Sequence, residues 1–165
     1  MARQVLPPAA VFKQAVSQLH DLVWLQGLTA VPKREGGRRI TARDSSMVLG
    51  SVNIDCDCLK RHPNANRWDY AIGYARKNAP VVFFVEVHSA DSHNVAEVEK
   101  KLDWLMQLLN SAGGKPLLAL NRDGKYHWVA SGRFGIPKHV PQYRKLELLR
   151  SKMGLVGPVG RLELA

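Results

Sequence analysis

Residues 80–105 read PVVFFVEVHSADSHNVAEVEKKLDWL, and how this stretch folds decides the architecture of the chain. Its first half is a short apolar run, which predicts a buried strand over residues 81–88. In an extended chain Val82, Phe84, Glu86 and His88 point to one face, and Val81, Phe83, Val85 and Val87 to the other. An ionisable pair near the C-terminal end of a buried strand is hard to explain by packing alone. From Ser92 the period changes. Val95, Val98, Leu102, Leu105 and Leu109 recur at helical spacing, and Gly113-Gly114 supplies the stop. Ser92 or Asn94 is expected to cap this helix, with Glu97 in its first turns where a carboxylate suits the helix dipole.

Upstream, residues 67–74 (RWDYAIGY) alternate, with Trp68, Tyr70, Ile72 and Tyr74 on one face and Asp69, Ala71 and Gly73 on the other. A turn over residues 76–80 would pair this strand with the 81–88 strand as an antiparallel hairpin. Residues 47–54 (MVLGSVNI) read as a preceding strand, and 55–67 (DCDCLKRHPNANR) as a polar connection. After Pro7-Pro8, the apolar residues Phe12, Ala15, Val16, Leu19, Leu22 and Val23 predict a helix running to about Gln26. Residues 31–46 hold a proline, two glycines and many charges, and read as a mobile loop or loose hairpin. Downstream, 116–120 (PLLAL) reads as a short buried strand, followed by an Asp-Gly turn and a returning strand from Tyr126. Beyond residue 132 only a short helix around 142–152 is expected, with no clear strand pattern.

These elements predict a single α/β (α+β) domain over residues 1–165, with its core over about 12–131 and a basic tail over 132–165. The order is α-β-β-β-α-β-β, giving a mixed central sheet of four to five strands flanked by helices. A length of 165 residues with 45% hydrophobic content suits one domain with a real core. No apolar run reaches the roughly 18 residues of a transmembrane helix, so no membrane partner is expected. The first residues (MARQVLPPAAVFKQAV) lack the pattern of a signal peptide, which makes a cytoplasmic setting the expectation. Cys56 and Cys58 are too close for an unstrained disulfide. With His62 they form only an irregular set of zinc ligands, against the alternative of two plain thiols at a strand end.

The net charge of +10 favours an anionic partner, of which nucleic acid is the commonest. The excess is clustered. Lys33, Arg34, Arg38, Arg39 and Arg43 face only Glu35 within residues 33–43, and the tail contributes Arg144 and Lys145 among others. Arginines and backbone amides in such a loop can grip phosphates. A solvated basic surface that only keeps the protein in solution is the alternative.

The chemistry converges on the predicted hairpin. Asp69 lies 17 residues before Glu86, on the neighbouring strand, and pairing the two strands brings the carboxylates together. Two carboxylates at the mouth of a sheet form a hard oxygen site for Mg²⁺ or Mn²⁺. His88, on the face of Glu86, is placed to shuttle a proton. The order of elements and these residues resemble the PD-(D/E)xK nuclease superfamily, over roughly residues 12–131. That resemblance implies a restriction-endonuclease-like fold and a metal-dependent phosphodiesterase, with Asp69 in RWDYAIGY and Glu86 in FFVEVH as its metal ligands. It also implies a lysine two residues after Glu86, where this chain has His88; Lys100 or Lys101 on the next helix would have to replace it. The acid that the family often adds from its first helix has no inward-facing counterpart, since Asp21 is expected on the outer side. Catalysis and a non-cleaving module that binds nucleic acid or protein both follow from this pattern. Oligomeric state is open, with a homodimer compatible.

Overall fold

The computed structural model describes residues 5–34 and 37–165. Glu35 and Gly36 of the basic loop, and residues 1–4 of the N-terminus, lie outside the described residues. The chain runs through α1 (Pro8–Ser17), β1 (Ile40–Ala42), β2 (Val48–Asn53), α2 (Ile54–Cys58), β3 (Tyr70–Arg76) and β4 (Ala79–Ala90). It continues through α3 (Val95–Asn110), a single helical turn α4 (Lys115–Leu118), β5 (Tyr126–Phe134), α5 (Pro141–Met153), β6 (Leu155–Val159) and β7 (Leu162–Leu164). Five strands form one mixed sheet in the order β2-β3-β4-β5-β6. The first two pairings are antiparallel and the last two parallel, so α3 and α5 serve as the crossovers that parallel neighbours require.

β4 sits at the centre, and its alternation is the one expected. Val82 and Phe84 join Phe12, Val16, Leu102, Leu105, Leu109, Leu146 and Leu149 in one core, which packs α1, α3 and α5 against one face of the sheet. Val81, Phe83 and Val85 join Ile72, Tyr74 and Val129 on the other face. That face is closed by Val31, Ile40, Leu162 and Leu164, that is, by a small parallel sheet of β1 and β7. α1 approaches β3 closely: a Cβ on Gly73 would stand 2.5 Å from the Phe12 ring, so no larger residue fits there. The β3–β4 hairpin turns through Lys77 and Asn78, both at positive φ, as a tight two-residue hairpin turn requires.

Several sequence expectations are corrected. α1 ends at Ser17, not near Gln26, because the following residues turn back onto the edge of the sheet. There Leu25 bridges Ser51, the Trp24 indole donates to the Leu49 carbonyl at 3.0 Å, and the Val23 amide donates to Asp57 at 2.8 Å. The expected loop over 31–46 contains a 3-10 turn (Gly37–Arg39), β1 and a second 3-10 turn (Ser45–Met47). Residues 116–120 are not a strand; Pro116 lies at the start of the turn α4, just after its first residue Lys115. The tail supplies β6 and β7 as well as α5, so it completes the domain. Trp68 precedes β3 and packs with the helices, on the opposite face from Tyr70, Ile72 and Tyr74. Asp91, rather than Ser92 or Asn94, caps the start of the α3 region, accepting from the amides of His93 and Asn94.

Candidate functional site

Strand pairing places Asp69 and Glu86 side by side. Asp69 is the residue before β3, and Tyr70 stands opposite Val85 in the hairpin. The Asp69 amide donates to Glu86 Oε2 at 3.1 Å, and the Val87 amide donates to Asp69 Oδ2 at 2.9 Å. The two carboxylates are therefore latched to each other's strands. Their free oxygens face one cation. Lys101 Nζ, from the second turn of α3, forms an ion pair with Glu86 Oε1 and lies 3.5 Å from Asp69 Oδ1. Lys101 reaches the sheet because it borders the buried stripe of Val98, Leu102 and Leu105. Lys100, one residue earlier, is exposed and makes no such contact.

Burial grades the triad. The Glu86 side chain is 0% exposed, Lys101 15% and Asp69 17%. Burial and the neighbouring Asp69 push the Glu86 carboxyl well above its ordinary range, with the Lys101 ammonium only partly offsetting them. Burial likewise raises Asp69, opposed by Lys101 and the Val87 amide. For Lys101, burial works against the charge, but the two carboxylates outweigh it and hold the proton more firmly than in an exposed lysine. Two carboxylates against one ammonium leave the cluster short of positive charge.

Asp69 is the member of the triad that lines a cleft, one of about 570 Å³ that it shares with Arg34, Asp55, Val87, His88 and Ser131. Asp55, at the start of α2, was not anticipated. Its amide and that of Ile54 point at the Asp69 carbonyl oxygen, the former at 3.5 Å and the latter at 2.8 Å. Asp55 is held in turn by Arg67, whose Nε donates to both the Asp55 carboxylate and its carbonyl oxygen. The same guanidinium donates to the carbonyls of His62, Pro63 and Ala65, so one arginine organises the connection from α2 to β3.

His88 is engaged elsewhere. Its Nε2 lies 3.2 Å from Glu97 Oε1, and its Nδ1 lies 3.0 Å from the Ser89 carbonyl oxygen. Both ring nitrogens therefore have partners outside the carboxylate pair.

The basic residues divide. Arg34 lines the cleft itself, while Lys33 and Arg38 line a separate recess of about 270 Å³. Arg39 donates to the Gly132 carbonyl at 3.1 Å and thereby ties the basic segment to the end of β5. Arg43 pairs with Glu163, and Lys145 with Glu99, which leaves Arg144 exposed on α5. Cys56 is exposed beside Asp69 in the cleft, whereas Cys58 is buried, and burial together with Asp21 and Asp57 pushes its thiol up to about 11. Asp21 sits beyond the end of α1 and pairs with Arg61 at 3.2 Å.

Among the described residues no group of three or more His, Cys, Asp or Glu side chains is arranged around a common metal position. The donor set at Asp69 and Glu86 is nevertheless the hard-oxygen pair that suits Mg²⁺, which keeps several waters and is commonly held by one or two carboxylates. No helix among the described residues is long and apolar enough to cross a membrane. Comparison of the chain with protein-family models, with curated proteins and with solved structures finds no match.

Proposed function

We propose that this protein is a metal-dependent nuclease of the PD-(D/E)xK type, acting on phosphodiesters of nucleic acid, with the motif lysine supplied by Lys101. The observation that carries this reading is the convergence of Asp69, Glu86 and Lys101 from two adjacent strands and the following helix. Asp69 and Glu86 would hold Mg²⁺ or Mn²⁺. The bound ion supplies polarisation of the phosphodiester and acidification of an attacking water. Lys101, whose proton is held firmly, stabilises negative charge gathering on the phosphoryl oxygens. Arg34 and His88 stand at the cleft, where they can contact and orient the flanking phosphates.

Incubation with single- and double-stranded DNA and RNA in Mg²⁺ or Mn²⁺ tests this reading. Cleavage is expected from the parent protein and should be lost in Glu86→Gln and in Asp69→Asn. Failure of the parent on every substrate, or cleavage unchanged in Glu86→Gln, overturns it.

One observation favours a second reading, a non-cleaving module of the same fold. Lys101 already partners both carboxylates, so the triad has an internal counter-ion. Under that reading divalent ions leave the melting temperature unchanged while nucleic acid still binds.

A further inference from the structure

Beyond the cleft, a second depression runs along the same helix. It measures about 690 Å³ and is lined by Gln18, His20, Arg61, His62, Trp104 and Gln107, among others. Glu97, Lys101, Trp104, Leu108 and Ser111 follow one another at three- and four-residue steps, so they share one edge of α3. Along that edge Glu97 meets His88, Lys101 meets the two carboxylates, and Trp104, Leu108 and Ser111 line the groove. The opposite wall is also shared. The segment organised by Arg67 gives Asp55 and Cys56 to the cleft and Arg61, His62 and Ala65 to the groove. The two depressions share no lining residue, but the edge of α3 and the segment held by Arg67 border the carboxylate pair and lead from it to both.

The lining of the groove is that of a base-binding surface rather than a phosphate grip. Trp104 is a partly exposed residue that packs against the core on one side and makes an edge-to-face contact with His62 at 5.7 Å. Around it are two side-chain amides, two imidazoles and a hydroxyl, which offer both donors and acceptors to a base edge. Its single carboxylate, Asp21, is neutralised by Arg61. Aromatic stacking with adaptable polar groups is how proteins hold unpaired bases. A base stacked within a duplex cannot present its face to an indole.

Resting on the nuclease reading, we infer that the substrate is a single strand, or a frayed end of a duplex, and that a base beyond the scissile phosphate stacks on Trp104. The strand would pass from the groove, across Asp69, into the cleft beside Arg34.

The experiment uses the full chain carrying Glu86→Gln, so that a bound strand is not cut. Dye-labelled oligo-dT, oligo-U and a blunt DNA duplex of equal length are titrated at low salt. The single strands should bind more tightly than the duplex and quench tryptophan fluorescence. Adding Trp104→Ala should remove that quenching and weaken single-strand binding about tenfold or more, as loss of a stacked base does. Trp104→Phe should retain most of the affinity and guards against a folding defect, as does thermal melting of both variants. Equal affinity for duplex and single strand, no nucleic-acid binding, or single-strand binding unchanged in Trp104→Ala overturns the inference. DNA and RNA arms that differ identify which strand is preferred. The nuclease reading is judged separately, from cleavage and metal-dependent melting of the parent: loss of those with stacking intact removes catalysis and leaves the groove as a binding site.

Discussion

At the scale of single residues, the triad predicts an unusual dependence of stability on pH. Glu86 and Asp69 hold their protons above the ordinary carboxylate range in the fold, and Lys101 holds its own above the ordinary lysine range. All three shifts make the folded state bind more protons than the unfolded chain, so stability falls as pH rises through each window. The carboxylate part begins near the ordinary values of 3.8 and 4.5 and extends upward, whereas the Lys101 part is lost only above 10.5. Glu86→Gln should therefore gain on the parent as pH is raised from about 4 to 8, as measured by chemical denaturation across that range. A parent whose stability climbs steadily with pH while Glu86→Gln does not gain would contradict the assigned shifts. Lys101→Met should do the reverse at neutral pH. It strands the buried Glu86 and the partly buried Asp69 without a counter-ion, at a cost of about 3 kcal/mol, and the loss should shrink in acid as they protonate. Millimolar Mg²⁺ should raise the melting temperature of Lys101→Met more than that of the parent, and leave Glu86→Gln unmoved. The nearness of Asp69 and Glu86 was legible in the sequence because pairing the two strands as a hairpin brings them together. The choice of Lys101 over Lys100 was not, since it depends on which of two adjacent residues borders the buried stripe of α3.

At the scale of elements, the short strand pair β1–β7 has a consequence out of proportion to its length. Leu164 is fully buried, as Ile40 nearly is, and their strands run parallel in register, Ile40 opposite Leu162 and Ala42 opposite Leu164. This pair fastens the segment bearing Arg34, Arg38 and Arg39 over the face of β4 that carries Val81, Phe83 and Val85. Leu164→Ala should cost about 2–5 kcal/mol, and it should weaken nucleic-acid binding at temperatures where the main sheet remains folded. Circular dichroism set beside a binding titration separates the two effects; binding that persists until the whole fold melts would rule out the fastening role. The same elements show why parts of the fold were hidden. β6 contains Gly157 and Pro158, which break any apolar alternation, and proline is tolerated there because β6 is an edge strand with β5 as its neighbour in the sheet. Leu19 and Leu22 continue the helical spacing of α1, yet the segment leaves the helix because residues far along the chain, Leu49, Ser51 and Asp57, offer its backbone and Trp24 other partners. Such tertiary competition has no local signature. The central strand, the hairpin and α3 were readable because each buries a long, regular stripe.

At the scale of the whole molecule, the excess of 24 Lys and Arg over 14 Asp and Glu is not spread evenly over its function. Arg43, Lys145 and Arg150 are spent on Glu163, Glu99 and Glu147, Arg67 is enclosed by carbonyls, and Arg39 is tied to Gly132. Of the seven basic residues first expected to meet nucleic acid, Lys33, Arg34, Arg38 and Arg144 are the exposed ones without such an ion pair among the described residues. Only cations that neutralise phosphates release counter-ions, so the salt dependence of binding counts them selectively. The slope of log K against log salt for a single strand should fall by about 0.7 for each engaged cation removed. Combined Lys33→Ala, Arg34→Ala and Arg38→Ala should therefore flatten it by about 2, whereas Arg43→Ala and Lys145→Ala should change it much less because each already has an acidic partner. Equal slope changes for both groups would mean that the positive field acts as a whole and that the cleft-side cations hold no privileged place. A flattening confined to the first group would place the strand along the segment that bears Lys33, Arg34 and Arg38, of which Arg34 lines the cleft beside Asp69.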